Sequence, residues 1–303
     1  MTRPKTRSKT LHCDVVRSLP DVGARFDRRV AIVIPAHNEA RHIADVIARC
    51  VALAPTCVLV IDDCSSDGTA DVLAACSALH RRRHPGVVRW TRNSQNLGKQ
   101  GAVRRGLAEL LATFGVDGLD AVALIDGDGQ HDPAELPALA ALLSAPRARD
   151  RAALPAYALV HGYDVIIGAR AHDEMPVQRR VSNWLVNTGF RVIAGIDLVD
   201  VQSGLRIYSA ELAAVLAERL GDHGGYGLEH ESLSVLASYG REARRTVRIA
   251  AAPASCGYGV AESGIGPDEV VNLAVATVQQ AMRIRRTRRH SGAHALSSRR
   301  GAR

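Results

Sequence analysis

Two carboxylates one residue apart, Asp126 and Asp128, directly follow a short apolar run in Ala121-Val-Ala-Leu-Ile-Asp-Gly-Asp-Gly-Gln-His-Asp-Pro133. Hard oxygen donors at this spacing suit Mg²⁺ or Mn²⁺ gripping a phosphate-bearing substrate. The same letters also describe a polar turn after a strand, so the neighbouring segments must decide. Gln130 adds an amide oxygen, and His131 reads as a helix-start residue ahead of Pro133.

Such a pair needs a buried strand behind it. Residues 29–35, 57–61, 87–91, 122–125 and 164–168 are short apolar runs with the composition of strands. Between them Ile43, Val46, Ile47 and Cys50 recur at helical spacing, and Asp67 or Thr69 is placed to cap a helix carrying Val72, Leu73 and Cys76. Further helices are expected over 133–143, 179–193, 210–219 and 228–238, with a strand over 245–251. Alternating strands and helices predict an α/β fold: a mostly parallel sheet with helices on both faces. Three strand ends are polar, namely Pro35-Ala-His-Asn-Glu39, Asp62-Asp63 and Asp126-Gly-Asp128. In an open α/β sheet those ends line one crevice. No Gly-x-Gly-x-x-Gly follows the first strand and no Gly-x-x-x-x-Gly-Lys-Ser/Thr occurs, which argues against a dinucleotide site and a P-loop.

The chain has 303 residues, 47% hydrophobic, enough for one large α/β domain. Six cysteines without a Cys-x-x-Cys pair read as reduced thiols, and neither a signal peptide nor a membrane span is evident. The expected location is therefore cytoplasmic. The net charge of +8 sits at the ends: residues 1–10 carry four basic side chains and residues 283–303 eight arginines, without an acid, leaving the body near −4. A nucleic-acid binder carries its charge on the folded domain, so no nucleic-acid partner is expected. Basic tails suit solvent or an anionic membrane surface. Residues 268–289 form an amphipathic helix with an arginine-rich end, which either packs on its own domain or meets a membrane as a peripheral element.

Four ordered segments resemble family 2 glycosyltransferases of the GT-A fold: Val30-Ala-Ile-Val-Ile-Pro-Ala-His-Asn-Glu39, Val60-Ile-Asp-Asp-Cys-Ser-Ser-Asp-Gly-Thr69, Asn96-Leu-Gly-Lys-Gln-Gly101 and Asp126-Gly-Asp-Gly-Gln-His-Asp-Pro133. Within that family the pattern is most similar to dolichyl- or polyprenyl-phosphate mannose (hexose) synthases. Val165-Ile-Ile-Gly-Ala-Arg170 and Val201-Gln-Ser-Gly-Leu-Arg206 extend it, so that it spans about residues 29–240. The resemblance implies a nucleotide-diphosphate sugar donor, Mg²⁺ or Mn²⁺, and transfer with inversion to a lipid phosphate. It implies that Pro35, His37 and Glu39 contact the nucleotide, that Asp63 reads the base, and that Asp126, Asp128 and Gln130 hold ribose, metal and diphosphate. Lys99 is a further ligand candidate. Arg170 and Arg206 offer planar donors for phosphate oxygens, although Arg206 equally suits pinning a loop. Arg179 and Arg180 either face the acceptor or begin a solvated helix.

The pattern also departs from that group. The glycine-rich lid, residues 251–266, holds neither Arg nor Lys; His37 replaces an aromatic hydroxyl residue; residues 145–160 form an atypical insertion; and no hydrophobic C-terminal anchor follows. Glu229 supports an alternative, a glycosyltransferase acting on a hydroxyl of a sugar, glycerate or lipid with Glu229 as base, against the plain reading of an acid at a helix start. A third reading is a nucleotide-sugar-binding protein without catalysis. The expected organisation is a disordered basic segment over 1–28, a GT-A domain over 29–266, a helix over 267–289 and a disordered basic tail over 290–303.

Overall fold

The computed structural model describes residues 10–82, 85–143, 162–221, 227–258 and 267–297. Eight strands form one sheet: β1 (Leu11–Val15), β2 (Val30–Ala36), β3 (Cys57–Asp62), β4 (Val88–Arg92), β5 (Ala121–Leu124), β6 (Val165–Arg170), β7 (Arg206–Ser209) and β8 (Val247–Ala254). Their order is β1-β8-β6-β7-β5-β2-β3-β4. All pairings are parallel except those of β7, which runs antiparallel to both β5 and β6. This reversed strand brings the start of β7 to the edge where β5 and β6 end; Arg206 lies opposite Leu124 and Ile167.

The helices are α1 (Ile43–Ala52), α2 (Thr69–Arg81), α3 (Gly98–Phe114), α4 (Leu136–Ala141), α5 (Val177–Gly189), α6 (Ala210–Arg219), α7 (Leu228–Glu242) and α8 (Pro267–Ser297). Strand side chains alternate between two cores, as period-2 geometry requires. Val33, Ile61 and Leu124 pack with Val103 and Leu107 of α3 and with α6, α7 and α8. Ile32, Ile34 and Val60 pack with Ile43 and Ile47 of α1, Leu73 of α2 and Leu139 of α4 on the other face. Helices thus cover both faces of a sheet that shows solvent mainly at its ends, where the polar residues lie.

Three expectations change. The segment through residue 28 is not unstructured throughout, because Leu11–Val15 adds a parallel edge strand to β8. Leu11 is buried under that sheet, which explains its ordering. The last helix continues to Ser297 rather than ending at 289. The 133–143 helix is shorter, a 3₁₀ turn at Pro133–Glu135 followed by α4. At α2 the N-cap position is Gly68 in the left-handed region, while Asp67 Oδ1 accepts the amide of Thr69 at 3.1 Å. The insertion expected at 145–160 and lid residues 259–266 lie outside the described residues.

Candidate active site

The crevice is built at the carboxyl edge of β2, β3 and β5. After β2 the chain turns sharply through Asn38, at φ 59°. The turn is tied to the β3 loop: Ser65 Oγ accepts the amide of Asn38 at 2.9 Å and Thr69 Oγ1 that of Glu39 at 2.9 Å. His37 Nδ1 lies 2.8 Å from the Asp63 carbonyl, and Asn96 Nδ2 lies 3.3 Å from Nε2. This pairing fits a ring protonated on Nδ1, since a carbonyl only accepts and an amide NH₂ only donates. Asp63 is buried, with Oδ1 accepting from Asn93 Nδ2 at 2.6 Å and from the Leu97 amide at 2.9 Å. It therefore joins β3 to the loop that starts α3. Pro35 is buried inside β2.

Lys99 leaves the first turn of α3 and enters the centre of the site. Its ammonium is 2.8 Å from Asp126 Oδ1 and 3.0 Å from Glu229 Oε1 on α7. Burial pushes the Asp126 carboxyl up, but Lys99, with His131 and Arg170 behind it, outweighs burial and holds Asp126 below its ordinary range. Glu229 is treated likewise: burial opposes ionisation, and Lys99, then Arg206, keep the carboxyl ionised and its pKa lowered. The two remaining acids move the other way. Burial, then the charge of Asp126, raises Asp128; burial, then Asp128 and Asp126, raises Glu39 to about 7. Lys99 thus balances part of a carboxylate cluster that retains excess negative charge.

The next residue repeats the α3–α7 link. Gln100 Nε2 donates to Glu231 Oε2 at 2.9 Å, so Lys99–Glu229 and Gln100–Glu231 clip the two helix starts together. Gly204, in the loop before β7, lies against this cluster. A Cβ there would stand 2.6 Å from Lys99 Nζ and closer still to Asp126 Oδ2. Only a residue without a side chain lets the loop approach.

Beyond β6 the site turns cationic. Arg170 is engaged side-on by buried Asp200, with Nε–Oδ2 and Nη2–Oδ1 both at 2.7 Å. Its fork is thus oriented by a carboxylate rather than left open on both edges. The Arg179 guanidinium lies 5.8 Å from the centre of the Tyr258 ring. Tyr258 follows a segment clamped to the Asp128 loop: Glu135 accepts from Ser255 N and Oγ, and the Gln130 carbonyl accepts the Gly257 amide at 2.7 Å. His131 is buried beside it, Nδ1 3.3 Å from the Ser255 carbonyl, and burial lowers its pKa.

Arg206 corrects the expectation of a phosphate donor. It is 1% exposed and donates to Ser203 O, Ser232 Oγ and Val201 O at 2.9, 3.0 and 2.5 Å. All three guanidinium nitrogens are spent on the loop and α7, so Arg206 pins the loop that carries Gly204. The site residues that sequence reasoning missed are Gly204, Asp200 and the Glu135–Ser255 clamp. Gly204 lies within Val201-Gln-Ser-Gly-Leu-Arg206, but what it touches is set by the antiparallel β7.

Among the described residues no three His, Cys, Asp or Glu side chains converge as a complete metal site. Asp126 and Asp128 nevertheless fit a divalent ion of the Mg²⁺ type, which takes one or two carboxylates and completes its shell with substrate phosphates and water. The raised Glu39 and Asp128 mark where positive charge is wanted.

This sheet order, with its crevice at the carboxyl edge, is that of a GT-A fold. Solved structures of glucosyl-3-phosphoglycerate synthase from Mycobacterium tuberculosis share the fold; one in complex with Mn²⁺ and UDP-glucose aligns with a TM-score of 0.55 over 90% of this chain and 87% of that one, at 20% identity. The family model for glycosyl transferase family 2 matches residues 31–191. The chain belongs to glycosyltransferase family 2. Among curated relatives it is 28% identical to an undecaprenyl-phosphate mannosyltransferase of Micrococcus luteus, over 81% of this chain and 92% of the relative. It is 25% identical to an undecaprenyl-phosphate 4-deoxy-4-formamido-L-arabinose transferase of Shewanella sediminis, over 62% of this chain and 50% of the relative.

Proposed function

We propose that this glycosyltransferase moves a hexose from a nucleotide-diphosphate sugar to a polyprenyl phosphate, with inversion at the anomeric carbon. Glu39, His37 and Asp63 face or frame the nucleotide side, and Lys99 tunes the diphosphate side. Asp126 and Asp128, with Gln130 beside them, would hold Mg²⁺ or Mn²⁺, which when bound offsets the charge developing on the leaving diphosphate. An acceptor phosphate oxygen attacks the anomeric carbon as the bond to the diphosphate oxygen breaks, and the electron pair leaves with the nucleoside diphosphate. A phosphate acceptor is already an anion near neutral pH, so no strong base is required.

The observation that carries this reading is the state of Glu229. Lys99 occupies one of its oxygens at 3.0 Å and lowers its pKa, which makes the carboxylate a weaker base and a good strut. Arg170 and Arg179 on the flank of the crevice supply donors that an anionic acceptor needs. Similarity to the Micrococcus relative over nearly its whole length supports the same acceptor class. The alternative, a hydroxyl acceptor with Glu229 as base, draws on the position of Glu229 at the crevice and, less strongly, on the fold shared with glucosyl-3-phosphoglycerate synthase. Peripheral association with the cytoplasmic membrane face belongs to the reading; no described helix is long and apolar enough to cross a membrane.

The test is transfer of labelled sugar from a panel of nucleotide-sugars with Mn²⁺ or Mg²⁺. Product extracted into the organic phase with undecaprenyl phosphate, surviving Glu229→Gln, is expected. Loss of transfer in Glu229→Gln would favour the hydroxyl acceptor, and donor binding without turnover for any acceptor would leave a nucleotide-sugar-binding protein.

A further inference from the structure

Helices α5 and α8 pack side by side and leave their outer faces bare. On α5, Val177, Val181, Trp184 and Leu185 are 70, 51, 58 and 41% exposed, at the i, i+4, i+7, i+8 positions of one stripe. On α8, Val271, Val275, Val278 and Met282 are 60, 50, 42 and 42% exposed, again one stripe. The stripes meet, because Leu185 and Val278 both line an apolar cleft of about 190 Å³ between the helices. Soluble proteins rarely leave so much contiguous apolar surface without a partner.

The charge on these helices narrows the partner. Residues 177–194 contain Arg179, Arg180 and Arg191 and no aspartate or glutamate, and α8 carries five arginines between 283 and 289, its two acids, Asp268 and Glu269, standing at its opposite end. A second copy docking face to face would set arginines against arginines, because a two-fold interface pairs a patch with itself. An anionic lipid surface instead complements both features, taking the valines, leucine and tryptophan among its acyl chains and headgroups and the arginines among its phosphates. The start of α5 also holds Arg179 over Tyr258, beside the Asp128 loop, so the apolar face opens onto the acceptor side of the crevice.

We infer that the joint outer face of α5 and α8 is a membrane-docking surface that seats the enzyme on an anionic bilayer. It rests on the polyprenyl-phosphate reading only for its purpose; the docking itself stands or falls separately.

The full chain is mixed with vesicles of phosphatidylcholine alone or with phosphatidylglycerol, and sedimentation and tryptophan emission are read. The expected result is binding to the anionic vesicles with a blue shift that Trp184→Phe removes, leaving only Trp90. Leu185→Asp with Val278→Asp should weaken partitioning by about ten-fold or more, with the thermal midpoint and transfer to a short-chain, water-soluble prenyl phosphate retained. Arg283→Gln, Arg285→Gln and Arg286→Gln together should also weaken it, and the difference from the parent should vanish in high salt. Vesicle binding unchanged in the double-aspartate variant overturns the inference. So does a dimer in sedimentation equilibrium that the same variant dissolves, which would make the face a contact between copies. Vesicle binding without prenyl-phosphate transfer would sink the proposed acceptor while leaving the surface intact.

Discussion

Lys99 on α3 and Glu229 on α7 are joined at 3.0 Å across the crevice, and the same ammonium holds Asp126 at 2.8 Å. One lysine therefore ties the loop after β5 to the start of α7. Its removal leaves two largely buried carboxylates facing each other without their nearest counter-ion. Lys99→Met is expected to cut kcat/KM for the donor by about 100-fold, the scale of losing one preorganised charge contact. Glu229→Gln keeps a polar partner for Lys99 and should cost about ten-fold or less with a phosphate acceptor. Steady-state kinetics of both variants with one donor checks this; a larger loss in Glu229→Gln than in Lys99→Met would contradict the strut assignment.

Asp128 should report the metal. Asp128→Ala is expected to abolish the Mn²⁺-dependent part of the thermal shift given by a nucleoside diphosphate, because a ligand that binds only the folded state raises apparent stability. Turnover should fall by at least about 100-fold. An unchanged Mn²⁺-dependent shift in the variant would remove Asp128 from the metal-binding set.

Glu39 links pH to stability. Its carboxyl is raised from 4.5 to about 7, first by burial and then by Asp128 and Asp126. The unfolded chain releases this proton near its ordinary pKa, while the folded protein keeps it to about 7. The folded state thus binds more protons in that window, and stability falls as pH rises from about 4.5 through 7. Denaturant titrations of metal-free protein at pH 5 and 8 should show the loss, and Glu39→Gln should flatten it. Saturating Mn²⁺ and nucleoside diphosphate should reduce the slope, since added positive charge favours the ionised carboxylates.

Much of this was legible in the sequence, for physical reasons that differ by residue. The strands of β2, β3 and β5 are uninterrupted apolar runs buried on both faces, and their polar ends announce the crevice. Asp126, Asp128, Glu39 and Asp63 could be singled out because each falls within three residues of the end of such a run. Arg206 could not be settled, since a guanidinium at a strand start looks the same whether it meets a phosphate or its own backbone. Only the antiparallel direction of β7 buries it. β1 was missed because Leu11-His-Cys-Asp-Val15 carries two polar residues within a half-buried edge strand. The exposed stripe of α5 was hidden in an ordinary helical pattern, since periodicity locates a face without saying that it stays bare.

Arg206 and Arg170 should separate stability from chemistry. Arg206→Met leaves the Ser203 and Val201 carbonyls without their donors in a site only 1% exposed. A loss of about 2–4 kcal/mol in unfolding free energy is expected from unsatisfied buried acceptors. Arg170→Lys keeps a charge beside Asp200 but breaks the two-point fork at 2.7 Å. It should raise the acceptor KM more than it lowers the thermal midpoint. Equal behaviour of the two variants in denaturation and kinetics would mean that both arginines are purely structural.

Gly204 offers the sharpest local test. A methyl group there would stand 2.6 Å from Lys99 Nζ and closer to Asp126 Oδ2, inside any real contact distance. The lysine tip can swing away, but Asp126 is short and sits on the end of β5, so it must shift or break its ion pair. Nothing else opposes the change, because Gly204 is not among the residues with positive φ. Gly204→Ala is therefore expected to fold, with a thermal midpoint lowered by about 2–4 °C, yet to lose donor turnover on the scale of Lys99→Met. Because both act through one ion pair, the double variant should be little worse than either single one, a coupling of about 1–3 kcal/mol in a double-mutant cycle. Additive losses would show that Gly204 does not act through Lys99 and Asp126.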